Sequence, residues 1–167
     1  MLRSGKLTID LGLGRTIIPL GPRTWQIGAP RSEVYELVAG PYLNRATRAL
    51  GEKLDVWERG SDLVLAAHFT QVARTQVTTV ETVRFEPPER ISFRLLRGPV
   101  PHVVENFELH ESDDGTSFSW SGELGVDLWL VGRWWGRRVA SVWERAVESS
   151  VGSIKAEAER RAAGRRA

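Results

Sequence analysis

Two glutamates occupy strand positions that otherwise favour apolar side chains. Glu81 lies in 75–86 on the same side as Val77, Thr79, Val83 and Phe85, and Glu105 lies in 102–111 with Val103, Phe107 and Leu109. Successive strand residues face opposite ways, so both carboxylates are expected on inward faces. A buried carboxylate without a partner costs several kcal/mol or takes up a proton. Paired carboxylates in such surroundings are what general acid–base chemistry uses. Two structural alternatives stand beside that reading: a bulge that turns one glutamate outward, or an arginine that pairs with it.

Among the histidines, His68 is the candidate for an interior role. It falls on the less apolar side of 63–71, while His110 reads as outward and His102 adjoins the Gly98-Pro99-Val100-Pro101 loop. Their spacing matches no metal-ligand set. The absence of cysteine removes thiolate nucleophiles, disulfides and Cys-ligated metals together. No Gly-x-Ser-x-Gly elbow occurs. Gly12-Leu13-Gly14 is followed by no helical pattern, so it is not a dinucleotide fingerprint. Neither a metal nor a cofactor is implied.

These groups need a scaffold. Leu7, Ile9, Leu11 and Leu13 alternate with polar or small residues, predicting an extra strand over 7–13, whereas 14–23 is punctuated by Gly and Pro and reads as irregular. A strand follows over 24–28, then Pro30 at the first turn of a helix over 31–38 that Gly40-Pro41 ends. A short second helix is expected over 42–50. Strands are predicted over 54–59, 63–71, 75–86, 91–97, 102–111 and 117–125, with turns at Gly60-Ser61-Asp62, Pro87-Pro88-Glu89 and Asp113-Asp114-Gly115. With 24–28 these make seven, and tight turns between consecutive strands imply antiparallel pairing. The last element is a helix over about 130–161, whose stripe runs through Ala140, Trp143, Val147, Val151, Ile154 and Ala158. At 1.5 Å per residue it would be roughly 45 Å long. It must overhang the sheet or be interrupted at Gly132, Gly136 or Gly152.

The 167 residues, 41% hydrophobic and 26% charged, fit one globular α+β domain. A chain this long buries roughly 70% of its unfolded surface and needs no staples. Seven tryptophans are many, and four of them fall between 129 and 143. No apolar run is long enough to span a bilayer, and Asp10, Gly12, Gly14 and Arg15 break up any signal-peptide core. A cytoplasmic protein is expected. The formal charge is +2, with arginines gathered at 133–138 and at 160–166. Cations suit a helix C-terminus without any partner.

The order of elements is that of the helix-grip fold, and three segments resemble the START-like superfamily of polyketide cyclase/dehydrase and lipid-transport proteins. They are Ile27-Gly28-Ala29-Pro30-Arg31-Ser32-Glu33-Val34-Tyr35-Glu36-Leu37, Phe85-Glu86-Pro87-Pro88-Glu89-Arg90-Ile91-Ser92-Phe93-Arg94, and Asn106-Phe107-Glu108-Leu109 followed by Asp114-Gly115-Thr116 and Trp120. Tyr42-Leu43 stands where many members place a Trp. The likeness divides the chain into an N-terminal extension (1–23), a START-like domain (24–161) and a basic tail (162–167). It implies a seven-stranded curved antiparallel sheet wrapped around the long C-terminal helix, two short helices after the first strand, and a cavity between sheet and helix. Phe69, Glu81, Val83, Phe93, Glu105, Phe107, Trp120, Trp135 and Trp143 are the expected lining.

Three functions compete. The first is a non-enzymatic binder of a lipid, quinone or polycyclic aromatic. The second is a cyclase/aromatase-like enzyme using Glu81, Glu105 or His68. The third is a protein or RNA interaction module using the basic helix end, although no nucleic acid is expected because the arginines are scattered. Convergent polar groups deep in a pocket would favour the enzyme, and an almost wholly apolar pocket the carrier. Residues 7–20 are the candidate surface for a homodimer.

Overall fold

A computed structural model describes residues 16–43, 53–72, 75–127 and 129–166. Seven strands form one antiparallel sheet: β1 (Thr16–Ile27), β2 (Lys53–Arg59), β3 (Leu63–Val72), β4 (Thr75–Glu86), β5 (Arg90–Arg97), β6 (His102–Ser112) and β7 (Gly115–Val126). Helix α1 (Arg31–Ala39) and a 3-10 turn (Gly40–Leu43) follow β1, and helix α2 (Trp129–Arg166) ends the chain. The order across the sheet is β1-β7-β6-β5-β4-β3-β2, so the first strand pairs with the last and each hairpin neighbours the next. The helix-grip fold and the seven-strand count agree with the sequence reading.

The first strand corrects it. β1 begins at Thr16 rather than Thr24, and residues read as irregular pair with β7 from Thr16↔Val126 through Leu20↔Gly122. Pro19, Gly21 and Pro22 hid the strand. Prolines are tolerated because β1 is a sheet edge, where a missing N–H breaks no interior ladder. The register slips between Leu20 and Arg23, where Gly21 adopts φ 72° and a Cβ would meet the Trp120 carbonyl at 2.9 Å. The expected strand over 7–13, and 44–50 of the expected second helix, lie outside the described residues; the described part of that helix, 42–43, belongs to the 3-10 turn.

Helix α2 is also longer than expected. Its 38 residues span about 57 Å at 1.5 Å per residue, and it runs unbroken through Gly132, Gly136, Gly152 and the residues 162–166 read as a tail. Gly136 lets it approach the sheet, since a Cβ there would meet Ile18 and Val126 side chains at 2.7 and 2.8 Å. Further along, Val147, Val151, Ile154, Ala158 and Ala162 are buried as the stripe predicts. Ties at the rim fix the helix over the sheet. Arg23 pairs with Glu144 and Glu148, Lys155 Nζ donates to the Gln26 carbonyl at 2.7 Å, and the Gly28 N–H donates to Glu159 at 3.1 Å. Arg165 pairs with Glu33 of α1.

The core fills the concave side. Phe118, Leu109, Ile91 and Val83 are fully buried beneath α1 and α2, and the rings of Phe93, Phe107 and Phe118 pack at centroid separations of 5.0 and 5.2 Å. No helix among the described residues is long and apolar enough to cross a membrane.

Candidate functional site

The core is hollow beside α2. Between the middle strands and the central turns of α2 lies a cavity of about 390 Å³. Phe93, Phe107, Val77 and Val38 supply apolar wall on the sheet and α1 side, and Trp135, Val139, Trp143, Val147, Val151 and Ile154 supply it on the α2 side. Tyr42, His68, Thr79, Glu81 and Glu105 enter the same wall as polar groups.

Strand register explains the polar placement. Thr79 and Glu81 share the inner side of β4, and β3 sets His68 opposite Thr79 and Ala66 opposite Glu81. Ala66 is small and fully buried, which leaves space over the Glu81 side chain. His68 is thus the diagonal neighbour of Glu81, within reach on the same face. The resulting groups lie side by side. Thr79 Oγ1 donates to Glu81 Oε1 at 2.7 Å, His68 Nε2 lies 3.8 Å from Glu81 Oε2, and the Tyr42 hydroxyl lies 3.2 Å from His68 Nε2. Tyr42 is held by its ring contacts with Phe85 and Phe93 at 5.8 and 6.0 Å, and the Arg59 guanidinium binds its backbone carbonyl.

Glu105 is built differently. Its Oε2 accepts two indole N–H groups, from Trp120 at 2.8 Å and from Trp143 at 3.1 Å. One donor comes from the sheet and the other from α2. Gly122 makes this possible: it lies directly opposite Glu105, and a Cβ there would meet Glu105 Cβ at 2.8 Å and the Val104 carbonyl at 2.5 Å. Both glutamates are buried, at 6% and 5% exposure, so neither is turned outward by a bulge. Strand β5 separates them, with Glu81 opposite Leu95 and Glu105 opposite Phe93. Two strand spacings plus a two-residue offset put their Cα atoms roughly 12 Å apart. They cannot share a proton, but both can face one ligand.

Of the expected lining, Glu81, Phe93, Glu105, Phe107, Trp135 and Trp143 reach the cavity, as does His68. Phe69, Val83 and Trp120 do not. Phe69 is one residue from His68 and therefore on the other face of β3. Val83 is fully buried in packed core beyond the cavity, and Trp120 is fully buried with its indole turned to Glu105. Sequence reasoning missed Tyr42, Thr79 and Arg138. Thr79 shares the parity of Glu81, so its signal was present; Tyr42 depends on the 3-10 turn after α1.

At the far helix end, Arg160 and Arg161 both bind Glu157, and Arg165 binds Glu33. Each of these three arginines is thus ion-paired. Among the described residues no three or more His, Asp or Glu side chains gather as a metal site would require.

A helix-grip sheet clasping a ligand-sized cavity narrows the comparison with known proteins, and one family model decides it: polyketide cyclase/dehydrase and lipid transport, matching residues 23–159. The chain belongs to that family. No curated relative matches it. Among solved structures, it resembles the Zhui aromatase/cyclase from Streptomyces sp. R1128 at TM-score 0.72 and 19% identity, covering 89% of this chain and 96% of that one. The di-domain aromatase/cyclase StfQ of the steffimycin biosynthetic pathway gives TM-score 0.70 at 15% identity, over 88% of this chain and 52% of that one. Norcoclaurine synthase from Thalictrum flavum, in complex with dopamine and hydroxybenzaldehyde, gives 0.65 at 10% identity, over 93% of both chains. At such identities these likenesses establish the cyclase/dehydrase family's fold in this chain and no particular reaction.

Proposed function

We propose that the protein binds a mainly apolar, ring-containing small molecule bearing hydroxyl or carbonyl groups in the cavity between sheet and α2. The observation that carries this is a hollow of about 390 Å³ with aromatic walls and two buried carboxylates. That size and that mixture of apolar lining with few polar groups are those of small-molecule sites. A plain lipid carrier has no need of Glu81 and Glu105 inside, whereas a polyphenolic or polyketone ligand offers them hydrogen-bond partners. Native mass spectrometry of the purified protein, with quenching of Trp fluorescence by hydroxylated polycyclic aromatics, tests the reading. Micromolar quenching that weakens in Phe107→Ala supports it; a protein that neither retains nor binds such molecules ends it.

The Tyr42–His68–Glu81 chain favours a second reading, acid–base catalysis on that ligand. His68 Nε2 would take a proton from the carbon next to a carbonyl, and Glu81 would stabilise the resulting imidazolium. The imidazolium would return the proton to a departing β-hydroxyl, so that a carbon–carbon double bond forms and water leaves. The aromatase/cyclases among the structural neighbours lend this reading context. His68→Gln should then abolish dehydration of a β-hydroxy ketone probe and preserve its binding. Loss of binding with unchanged turnover per bound molecule would exclude it.

A further inference from the structure

The first turns of α2 are unlike the rest of the helix. From Trp129 to Trp143 there are three arginines, at 133, 137 and 138, and no acidic residue. All three are exposed and form no ion pair among the described residues, in contrast to the Arg160, Arg161 and Arg165 pairs at the other end. The same turns expose Val131 at 74%, Trp134 at 66% and Trp135 at 46%. At 100° per residue, 131, 134, 135 and 138 fall on one stripe, with 137 beside it and 133 turned well away, next to Ala140. Gly132, Gly136 and Ala140 are buried on another face, where Gly136 packs on β1 and β7. Val131 and Trp134, the most exposed members of the stripe, therefore point away from the domain.

It also adjoins the cavity. Trp135 and Arg138 belong to the cavity wall, and the Trp135 indole donates to the Pro99 carbonyl of the β5–β6 loop at 3.2 Å. Leu96, 57% exposed, stands just before that loop.

We infer that this end of α2 docks on an anionic lipid bilayer, with Val131 and Trp134 in the headgroup–acyl boundary and Arg137 and Arg138 on lipid phosphates. Trp is suited to that depth, since its ring is apolar and its N–H remains hydrated. Arginines flanking an apolar stripe can lay their alkyl stems along it and extend the guanidinium to phosphate. The absence of any acid in the segment removes the repulsion an anionic surface would otherwise meet. A nucleic acid could use the arginines and stack on Trp134, but it offers nothing to the aliphatic Val131. The inference concerns the outer surface and does not depend on what the cavity holds.

Flotation of the full chain with vesicles tests it, comparing pure phosphatidylcholine with phosphatidylcholine containing about one-third phosphatidylglycerol. The expected result is binding to the anionic vesicles with a blue shift of Trp emission, at least about tenfold weaker on the neutral ones and weakened by salt. Trp134→Ala and Arg137→Ser should each reduce binding several-fold, with thermal melting unchanged because these side chains are exposed. No binding to anionic vesicles at low salt overturns the inference. So does full vesicle binding by Trp134→Ala alongside equal competition from polyglutamate, which would mark a cationic patch for acidic polypeptides instead.

Discussion

The indole of Trp143 on α2 donates to Glu105 on β6, joining the long helix to the sheet across the cavity rim. Trp120 donates to the same carboxylate oxygen from the other side. A buried carboxylate is costly alone and tolerable when hydrogen-bonded, so the two tryptophans have a polar task besides filling space.

Removing one donor tests that task. Trp143→Phe should cost about 1–3 kcal/mol beyond its lost packing, because Glu105 keeps its burial and loses a partner. In the Glu105→Gln background the same change should cost less. A double-mutant cycle on urea midpoints measures the difference, and strict additivity would show that the indole contributes by packing alone.

Gly122 gives a second test. Alanine there would place a Cβ 2.8 Å from Glu105 Cβ and 2.5 Å from the Val104 carbonyl. Overpacking of this kind costs about 1–3 kcal/mol. Gly122→Ala should lower the melting temperature and weaken ligand quenching together, since Glu105 must shift. A stable variant with unaltered quenching would show that the β6–β7 pair yields there without moving the carboxylate.

Why Glu105 and Glu81 could be anticipated, and Phe69 and the start of β1 could not, follows from how strands encode burial. β4 and β6 are regular over their inward residues, so alternation alone carried both carboxylates to the concave face. Phe69 cannot share a face with its neighbour His68, because the pleat permits no exception without a bulge. β1 escaped because its alternation is broken by Pro19, Gly21 and Pro22, an edge-strand composition that reads as a loop. Tyr42 joins His68 only through the turn after α1, a tertiary relation with no periodic trace. The unbroken course of α2 follows from Gly136, where the missing side chain serves close packing on Ile18 and Val126 and the sequence could equally have marked a break.

Acid should weaken the distal end of α2 first. Hydrogen bonds from Arg160 and then Arg161 hold the Glu157 carboxyl down at about 2, against an ordinary 4.5. A folded-state value below the unfolded one means stability present above about 4.5 and lost as pH falls through 4.5 toward 2. Glu157→Gln should flatten that part of the acid limb, and should also lower the protection of the last-turn amides at pH 7, each rate being referred to intrinsic exchange at the same pH. An acid limb identical in both proteins would place the acid-labile group elsewhere. The pair is exposed, so the effect should be modest and reduced by salt.

Base acts through Tyr35. Its side chain is 3% exposed on α1, and its hydroxyl has no hydrogen-bond partner among the described residues. Burial, reinforced by the charges of Glu36 and Glu86, pushes its ionisation up from 10.0 to about 12. The fold thus favours the neutral phenol, whereas the unfolded chain ionises near its ordinary value of about 10. Stability from this source is complete below about 10 and is lost as pH rises from there through about 12. Tyr35→Phe removes the titrating group along with an unpaired buried hydroxyl, so its urea midpoint at pH 8 should equal or exceed that of wild type. Its midpoint should also fall less steeply between about pH 10 and 12. Comparing the two proteins across that range cancels the lysines, which titrate in both. Parallel alkaline limbs would mean that the Tyr35 hydroxyl reaches water in the folded state, and that the space around α1 is wetter than its packing indicates.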